Sequence, residues 1–193
     1  GMAESFAEAG AAELAAGLAD APARLRAGDV AAADGLVVQI FTASGGNYGH
    51  LLADVLPRLV HVAELGLRRF AVPVPAHAMP LWPVVRWTAA RLGLEVTPIA
   101  CAPGLLLRAE PLFWAGPVSP HTRRKSPTLR RLARALAPEG EGTRRLFVTR
   151  PPGGNRAMAN QPALEALATA AGWEVVEPSL LPFPEQVTLF AGA

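Results

Sequence analysis

One short segment carries the residue types best suited to acid–base chemistry. TASGGNYGHLLADVLPRL (42–59) follows an apolar run and contains Asn47, His50 and Asp54. Residues four apart in a helix lie nearly above one another, so His50 and Asp54 face the same way. A carboxylate that orients an imidazole in this manner can help it to deprotonate a hydroxyl group. The segment predicts a candidate general base, and an ordinary ion pair on a helix surface is the alternative.

The elements around this segment predict where it lies in the fold. GLVVQIF (35–41) has the pattern of a strand buried in a parallel sheet. Gly45 and Gly46 would let the backbone turn sharply after that strand, and Asn47 would cap the helix that follows. Pro57 should kink this helix or mark an irregular end. The helix therefore begins at the carboxyl end of a strand, where open α/β sheets bind their ligands.

A second segment predicts an anion site. RRLFVTR (144–150) reads as a strand that ends at Arg150, and the loop PPGGNRAMANQP (151–162) then carries Arg156. Asn160 or Gln161 is placed to cap the next helix. Arginines beside a helix N-terminus suit a diphosphate, although a solvated loop with exposed arginines would show the same pattern. The loop has neither the Gly-Lys-Ser/Thr ending of a Walker loop nor a GxGxxG fingerprint.

Basic residues are concentrated in one part of the chain. Ten of the eighteen Lys and Arg residues lie between Arg123 and Arg156, where Glu139 and Glu141 are the only acids. This excess favours an anionic partner such as a phosphate group. HTRRKSPTLRRLARAL (121–136) could track nucleic acid, but no aromatic residues are interleaved for base stacking. We therefore expect no nucleic-acid partner.

The order of the segments predicts the fold class. Strand patterns at 35–41, 68–75, 94–100 and 104–116 alternate with helical patterns, which indicates an α/β fold with a three-layer parallel sheet. The polar segment PEGEGT (138–143) is the best candidate linker. The predicted organisation is a helical segment (1–33), a first domain (34–138) and the beginning of a second (144–193).

Composition excludes several other classes. Cys101 is the only cysteine, so no intrachain disulfide or Cys-based zinc site is possible. The sequence shows no carboxylate-rich metal loop, no Gly-x-Ser-x-Gly elbow, no signal peptide and no stretch of about 20 apolar residues. With an Arg- and Ala-rich composition and a single lysine, it is typical of a bacterial protein of the cytoplasm.

Four motifs in order resemble the family 61 glycosyltransferases, which include bacterial capsular-polysaccharide biosynthesis proteins. The resemblance runs from about Asp34 to the last residue. It rests on four segments, NYGHLLADVLPRL, SPHTRRKSPTLRRLA, RRLFVTRPPGGNRAMANQPALEALATAAGWEVVEP and LPFPEQVTLFAGA.

The resemblance implies a two-domain GT-B fold with facing Rossmann-like halves. It also implies inverting transfer from a nucleotide sugar to a saccharide acceptor, with no metal and no other cofactor. On the acceptor side, Asn47, His50 and Asp54 match the family's Asn-x-x-His-x-x-x-Asp/Glu element, and Arg58 and His121 are further residues that we place there. On the donor side the matching residues are Arg150, Arg156, Asn160, Glu185 and Gln186.

The resemblance also raises expectations about the extent and partners of the chain. Family members continue after LFAGA with a Gly-x-His-Gly-Ala-Gly-type segment that helps to bind the donor. We therefore expect a truncated donor half, and an inactive relative that binds a sugar, nucleotide or protein is the alternative function. Pairing of an open strand edge predicts a homodimer, and association with a membrane surface is a further expectation.

Overall fold

The computed structural model describes residues 2–116, 118, 126–137, 142–151 and 158–193; of residues 2–11, 13, 14 and 43 it describes the backbone alone. The chain divides into two compact units, residues 1–129 and 130–193. Each unit is described by itself. The predicted linker falls mostly on 138–141, outside the described residues, and the boundary between the units falls within the helix that precedes it.

The first unit contains two parallel sheets. A short pair joins β1 (Ala31–Ala33) to β5 (Leu107–Ala109). The main sheet consists of β2 (Val37–Gln39), β3 (Arg69–Pro75), β4 (Glu95–Cys101) and β6 (Leu112–Trp114), in the order β4-β3-β2-β6. All its pairs are parallel, as the alternation of strand and helix patterns predicted.

Helices connect the strands and cover the sheet. The connection from β2 to β3 contains α2 (Tyr48–His50), a π-helical turn (Leu51–Val55) and α3 (Leu56–Glu64), and α4 (Trp82–Arg91) connects β3 to β4. Val37 and Val38 are both 0% exposed. Because successive strand residues point to opposite faces, both faces of β2 are covered.

The irregular helix after β2 has a local cause. Pro57 has no N–H to donate to the preceding turn, and its ring would clash with the carbonyl four residues before it. The chain avoids that clash with the π turn, in which the Leu56 N–H donates to the Leu51 carbonyl five residues earlier. The distortion predicted at Pro57 is therefore located just before it.

The N-terminal segment forms one helix. α1 (Met2–Ala27) runs through Pro22 without a break, and Arg24 near its end donates to Asp29 at 2.7 Å and to the Gly104 carbonyl at 2.7 Å. The pairing of β1 with β5 was not predicted, since three alanines carry little strand pattern.

The second unit repeats the strand–helix–strand rhythm. β7 (Leu146–Val148), α6 (Gln161–Ala170) and β8 (Glu174–Val176) form a parallel pair with its connecting helix. A 3-10 turn (Pro178–Leu180) leads to α7 (Phe183–Ala191). The N–H groups of Thr143 and Arg144 donate to the Gly192 carbonyl, which fastens the end of α7 to the chain before β7. α5 (Pro127–Leu136) precedes these elements, and the division between the units falls within it.

Candidate functional site

The loop after β2 is shaped by close packing at its glycines. Gly45 and Gly46 lie in a 3-10 turn (Ala43–Gly46), and neither is among the glycines with positive φ. A Cβ at Gly45 would lie 2.7 Å from the buried Phe41 ring, and one at Gly46 would lie 2.2 Å from the His77 ring. The chain does turn here, as the sequence predicted, but the turn does not need the positive φ that favours glycine. Glycine is needed because two rings approach the backbone.

Asn47 caps the helix, as the sequence predicted. Its Oδ1 accepts hydrogen bonds from the N–H groups of Gly49 at 3.0 Å and His50 at 3.4 Å. These bonds satisfy two of the N–H groups that a helix start leaves without intrahelical partners. The cap therefore holds the first turn, and with it the backbone of His50, at the sheet edge.

His50 and Asp54 are in direct contact. His50 Nδ1 lies 2.7 Å from Asp54 Oδ2, and the two side chains are 29% and 14% exposed. With Asp54 ionised, the bond places the proton on Nδ1 and leaves Nε2 as the basic nitrogen. The partly buried pair can accept a proton from a hydroxyl group that reaches Nε2.

Arg58 joins this helix to the end of β6. Its Nε donates to the Asp54 carbonyl at 2.9 Å, and its guanidinium also donates to the Ala115 carbonyl at 2.9 Å. Burial lowers the pKa of Arg58, and the negative charge of Asp54 opposes that shift. Arginine stays charged at neutral pH even so, and Arg58 therefore supplies a buried cation beside the His50–Asp54 pair.

The carboxyl ends of three neighbouring strands surround this pair. β2 leads to the glycine turn, β3 leads to His77, and β6 leads to Ala115. Parallel strands bring these ends to one edge, which is where open α/β sheets bind ligands. The His77 ring packs against Gly46.

A cleft of about 310 Å³ lies at the carboxyl end of β7 in the second unit. Its described lining combines strand residues with the start of α6: Phe147, Val148, Thr149, Arg150, Met158 and Gln161. Arg150 is exposed at this cleft. The place is the one expected for an anion site, beyond a strand and beside a helix N-terminus.

Gln161 holds this cleft in shape, a role that the sequence did not predict. Its Nε2 donates to the Arg150 carbonyl at 2.6 Å, to Thr149 Oγ1 at 2.7 Å and to Glu165 Oε1 at 2.9 Å. The hydrogen bond from Thr149, and to a lesser extent the one from Gln161, lowers the pKa of the Glu165 carboxyl, while desolvation opposes this shift. The spacing of Gln161 and Glu165, four residues apart on α6, was the available signal.

The remaining predicted donor residues lie elsewhere or are not described. Of the two residues expected to cap α6, Asn160 does occupy the N-cap position, but its side chain makes no cap bond. Gln186 donates to the Leu181 carbonyl at 2.8 Å, and Glu185 is exposed on α7. Neither lines the β7 cleft. Arg156 and His121 lie outside the described residues.

Neither a metal-binding cluster nor a membrane-spanning helix is found in the part of the chain that the structure describes. No group of three or more His, Cys, Asp or Glu side chains there could hold a metal ion. None of the helices described is long and apolar enough to cross a membrane.

Fold and sites together define a parallel α/β protein with a His–Asp pair at one sheet edge and an arginine-bearing cleft beyond another strand. The family model described as Glycosyltransferase 61 matches residues 48–193, about three quarters of the chain. The chain belongs to this family. Its substrates are accordingly a sugar donor and an acceptor. No curated protein and no solved structure matches the chain.

Proposed function

We propose that this chain catalyses inverting transfer of a sugar from a nucleotide sugar to a hydroxyl group of a saccharide acceptor. The observation that carries the proposal is the 2.7 Å contact between His50 and Asp54 at the carboxyl edge of the main sheet. Family membership supports the class of reaction. The contact between His50 and Asp54 supports the assignment of His50 as the general base of that reaction.

In the proposed reaction, His50 Nε2 takes the proton of the acceptor hydroxyl as its oxygen attacks the anomeric carbon. The new bond forms on the face opposite the leaving group, while the bond to the nucleotide diphosphate breaks. Asp54 stabilises the imidazolium that forms, and Arg58 fixes the helix turn that carries Asp54. Asn47 keeps the first turn in place.

The departing diphosphate would lie in the β7 cleft. Arg150 offers a charged donor, and the start of α6 places the positive end of its helix dipole beside the cleft. Both stabilise the negative charge that develops as the bond to the sugar breaks. Arg156, Asn160, Glu185 and Gln186 remain donor-side candidates by resemblance, and the chemistry proposed requires no metal ion.

We assign the units to the two halves of a GT-B fold, with the acceptor side in the first unit and the donor side in the second. The proposed setting is the cytoplasmic face of a bacterial membrane, in the synthesis of a surface or capsular polysaccharide. A homodimer remains part of this proposal.

The test is transfer from UDP-, GDP- and CMP-sugars to methyl glycosides of glucose, galactose, mannose, xylose and N-acetylglucosamine. Nucleotide release gives the rate, and proton NMR gives the anomeric configuration of the product. We expect one donor class to react with inversion, and retention of configuration would contradict the proposed base. If the protein binds a nucleotide or glycoside but turns over none of the panel, it acts as a binding module instead.

A further inference from the structure

Trp114 is an exposed aromatic side chain at the end of a buried sheet. Its side chain is 67% exposed, and it pairs in register with Gln39 at the carboxyl end of β2. Leu112, two residues earlier on the same face of the strand, is 59% exposed. An indole presented to solvent beside a candidate active site is a typical recognition element, since it offers a large, rigid apolar face.

Beside Trp114 lies a cleft of about 410 Å³ within the first unit. Its described lining consists of His61, Phe113, Trp114, Ala115, Gly116, Val118, Ser126 and Thr128. His61 Nε2 lies 3.3 Å from Thr128 Oγ1, and Ser126 Oγ donates to Thr128 Oγ1 at 3.1 Å. An aromatic face and a row of hydroxyl and imidazole groups therefore line one depression.

This combination fits a sugar ring. A pyranose has an apolar face of C–H groups that packs on an indole, and hydroxyl groups at its rim that exchange hydrogen bonds with Ser, Thr and His. The hydroxyl and imidazole groups of the lining can donate as well as accept hydrogen bonds, which suits the hydroxyl groups of a saccharide. An uncharged saccharide is the ligand class that matches.

The cleft is connected to the proposed base. Ala115 lines it, and the Ala115 carbonyl accepts from Arg58, which also holds the Asp54 carbonyl. His50 and His61 are eleven residues apart on one helical stretch, which corresponds to about 16 Å at roughly 1.5 Å per residue. That is longer than one sugar ring, so a ring that contacts His61 is not the ring that reacts at His50.

We propose that this cleft is a remote acceptor subsite, in which Trp114 stacks on a sugar ring of an acceptor that contains more than one sugar. The acceptor role rests on the proposed function, whereas saccharide binding at Trp114 can be measured without turnover. Binding energy gained there would favour long acceptors over single sugars.

Binding is tested by fluorine NMR of the full chain labelled with 5-fluorotryptophan. The Trp114 resonance is the one that Trp114→Phe removes. The probes are the five methyl glycosides above, the disaccharides cellobiose, lactose, xylobiose and chitobiose, and UDP. We expect at least one saccharide to shift the Trp114 resonance of the wild-type protein. The same shift is expected in the control variant Leu112→Ala. A shift caused by UDP alone, or by no probe, would overturn the proposal.

Kinetics then test the role in catalysis. With a disaccharide acceptor, Trp114→Ala should raise the acceptor KM about fivefold to tenfold, and Trp114→Tyr should restore most of it. Leu112→Ala, on the same exposed face but outside the cleft lining, should change neither KM nor kcat. An unchanged acceptor KM in an active Trp114→Ala enzyme overturns the subsite alone. A saccharide-induced shift without any turnover overturns the proposed transferase instead.

Discussion

His50 and Asp54 meet because a helix returns to nearly the same direction after four residues. That pairing could be predicted from spacing alone, and the 2.7 Å contact confirms it. The role of Arg58 could not be predicted, because its partner Ala115 is 57 residues away in the chain. Contacts between distant segments leave no local pattern, and the Trp114 cleft was missed for the same reason.

Of the two arginines on either side of β7, Arg150 should bind the donor diphosphate and Arg145 should not. Both side chains extend from the β7 region, but Arg145 is at the other end, 4.7 Å from the Trp173 ring centre. Arg150→Ala should raise the donor KM at least tenfold, since hydrogen bonds to charged groups contribute about 1.5–3 kcal/mol. Arg145→Ala removes the same charge and should leave the donor KM within about twofold. Steady-state kinetics on both variants provide the measurement, and equal effects would show that general charge rather than position attracts the donor.

At the scale of elements, the strand-to-helix connection after β2 determines where the pair lies. The sequence predicted its cap at Asn47 and its irregularity near Pro57, because both depend on local backbone chemistry. The sequence could not predict that Gly45 and Gly46 leave room for the Phe41 and His77 rings, because this packing is visible only in the folded chain.

Gly45→Ala should therefore destabilise the protein more than a glycine change nearby. The new methyl group would meet the buried Phe41 ring at 2.7 Å, and forcing such a group into a packed site costs about 1–3 kcal/mol. Gly49→Ala is the matched control, since its Cβ would be 3.4 Å from Asn47 Oδ1 and alanine favours a helix by about 1 kcal/mol. Urea denaturation measures both free energies of unfolding. A Gly45→Ala variant as stable as Gly49→Ala would contradict the packing described here.

Arg58→Lys should also reduce stability, because an ammonium group cannot reproduce the two directed bonds of the guanidinium. Leaving a buried carbonyl without its donor costs about 1–3 kcal/mol. Arg86→Lys, on an exposed turn of α4, should change the free energy of unfolding by less than about 0.5 kcal/mol. Thermal denaturation of the two variants provides the comparison, and equal melting temperatures would exclude the tethering role.

At the scale of the whole molecule, the sequence predicted the order of strands and helices better than it predicted which distant segments pair and where the chain divides into units. Hydrophobic periodicity indicated the strands of the main sheet and the β7–α6–β8 unit, because each is a local pattern. The β1–β5 pair joins segments more than seventy residues apart and lacks such a pattern. The boundary between the units at 129/130 depends on packing between segments that are distant in the chain.

The assignment of donor binding to the second unit predicts where a nucleotide protects the chain. Of UDP, GDP and CMP, the one that raises the melting temperature should slow amide exchange at 146–150 and 158–165. Hydrogen-exchange mass spectrometry locates the effect. Exchange at α1 serves as the internal control and should not change, and protection confined to the first unit would contradict the assignment.

The most direct test of the central claim is kcat for transfer in His50→Ala and Asp54→Asn, measured with the donor and acceptor that the panel identifies. Glu64→Gln is the matched control, because it alters an exposed His–carboxylate pair at 3.4 Å on the same helical stretch. We predict that His50→Ala lowers kcat about 10²- to 10⁴-fold, that Asp54→Asn lowers it to a smaller extent, and that Glu64→Gln leaves it unchanged. A folded His50→Ala protein with the kcat of the wild type would show that His50 is not the base.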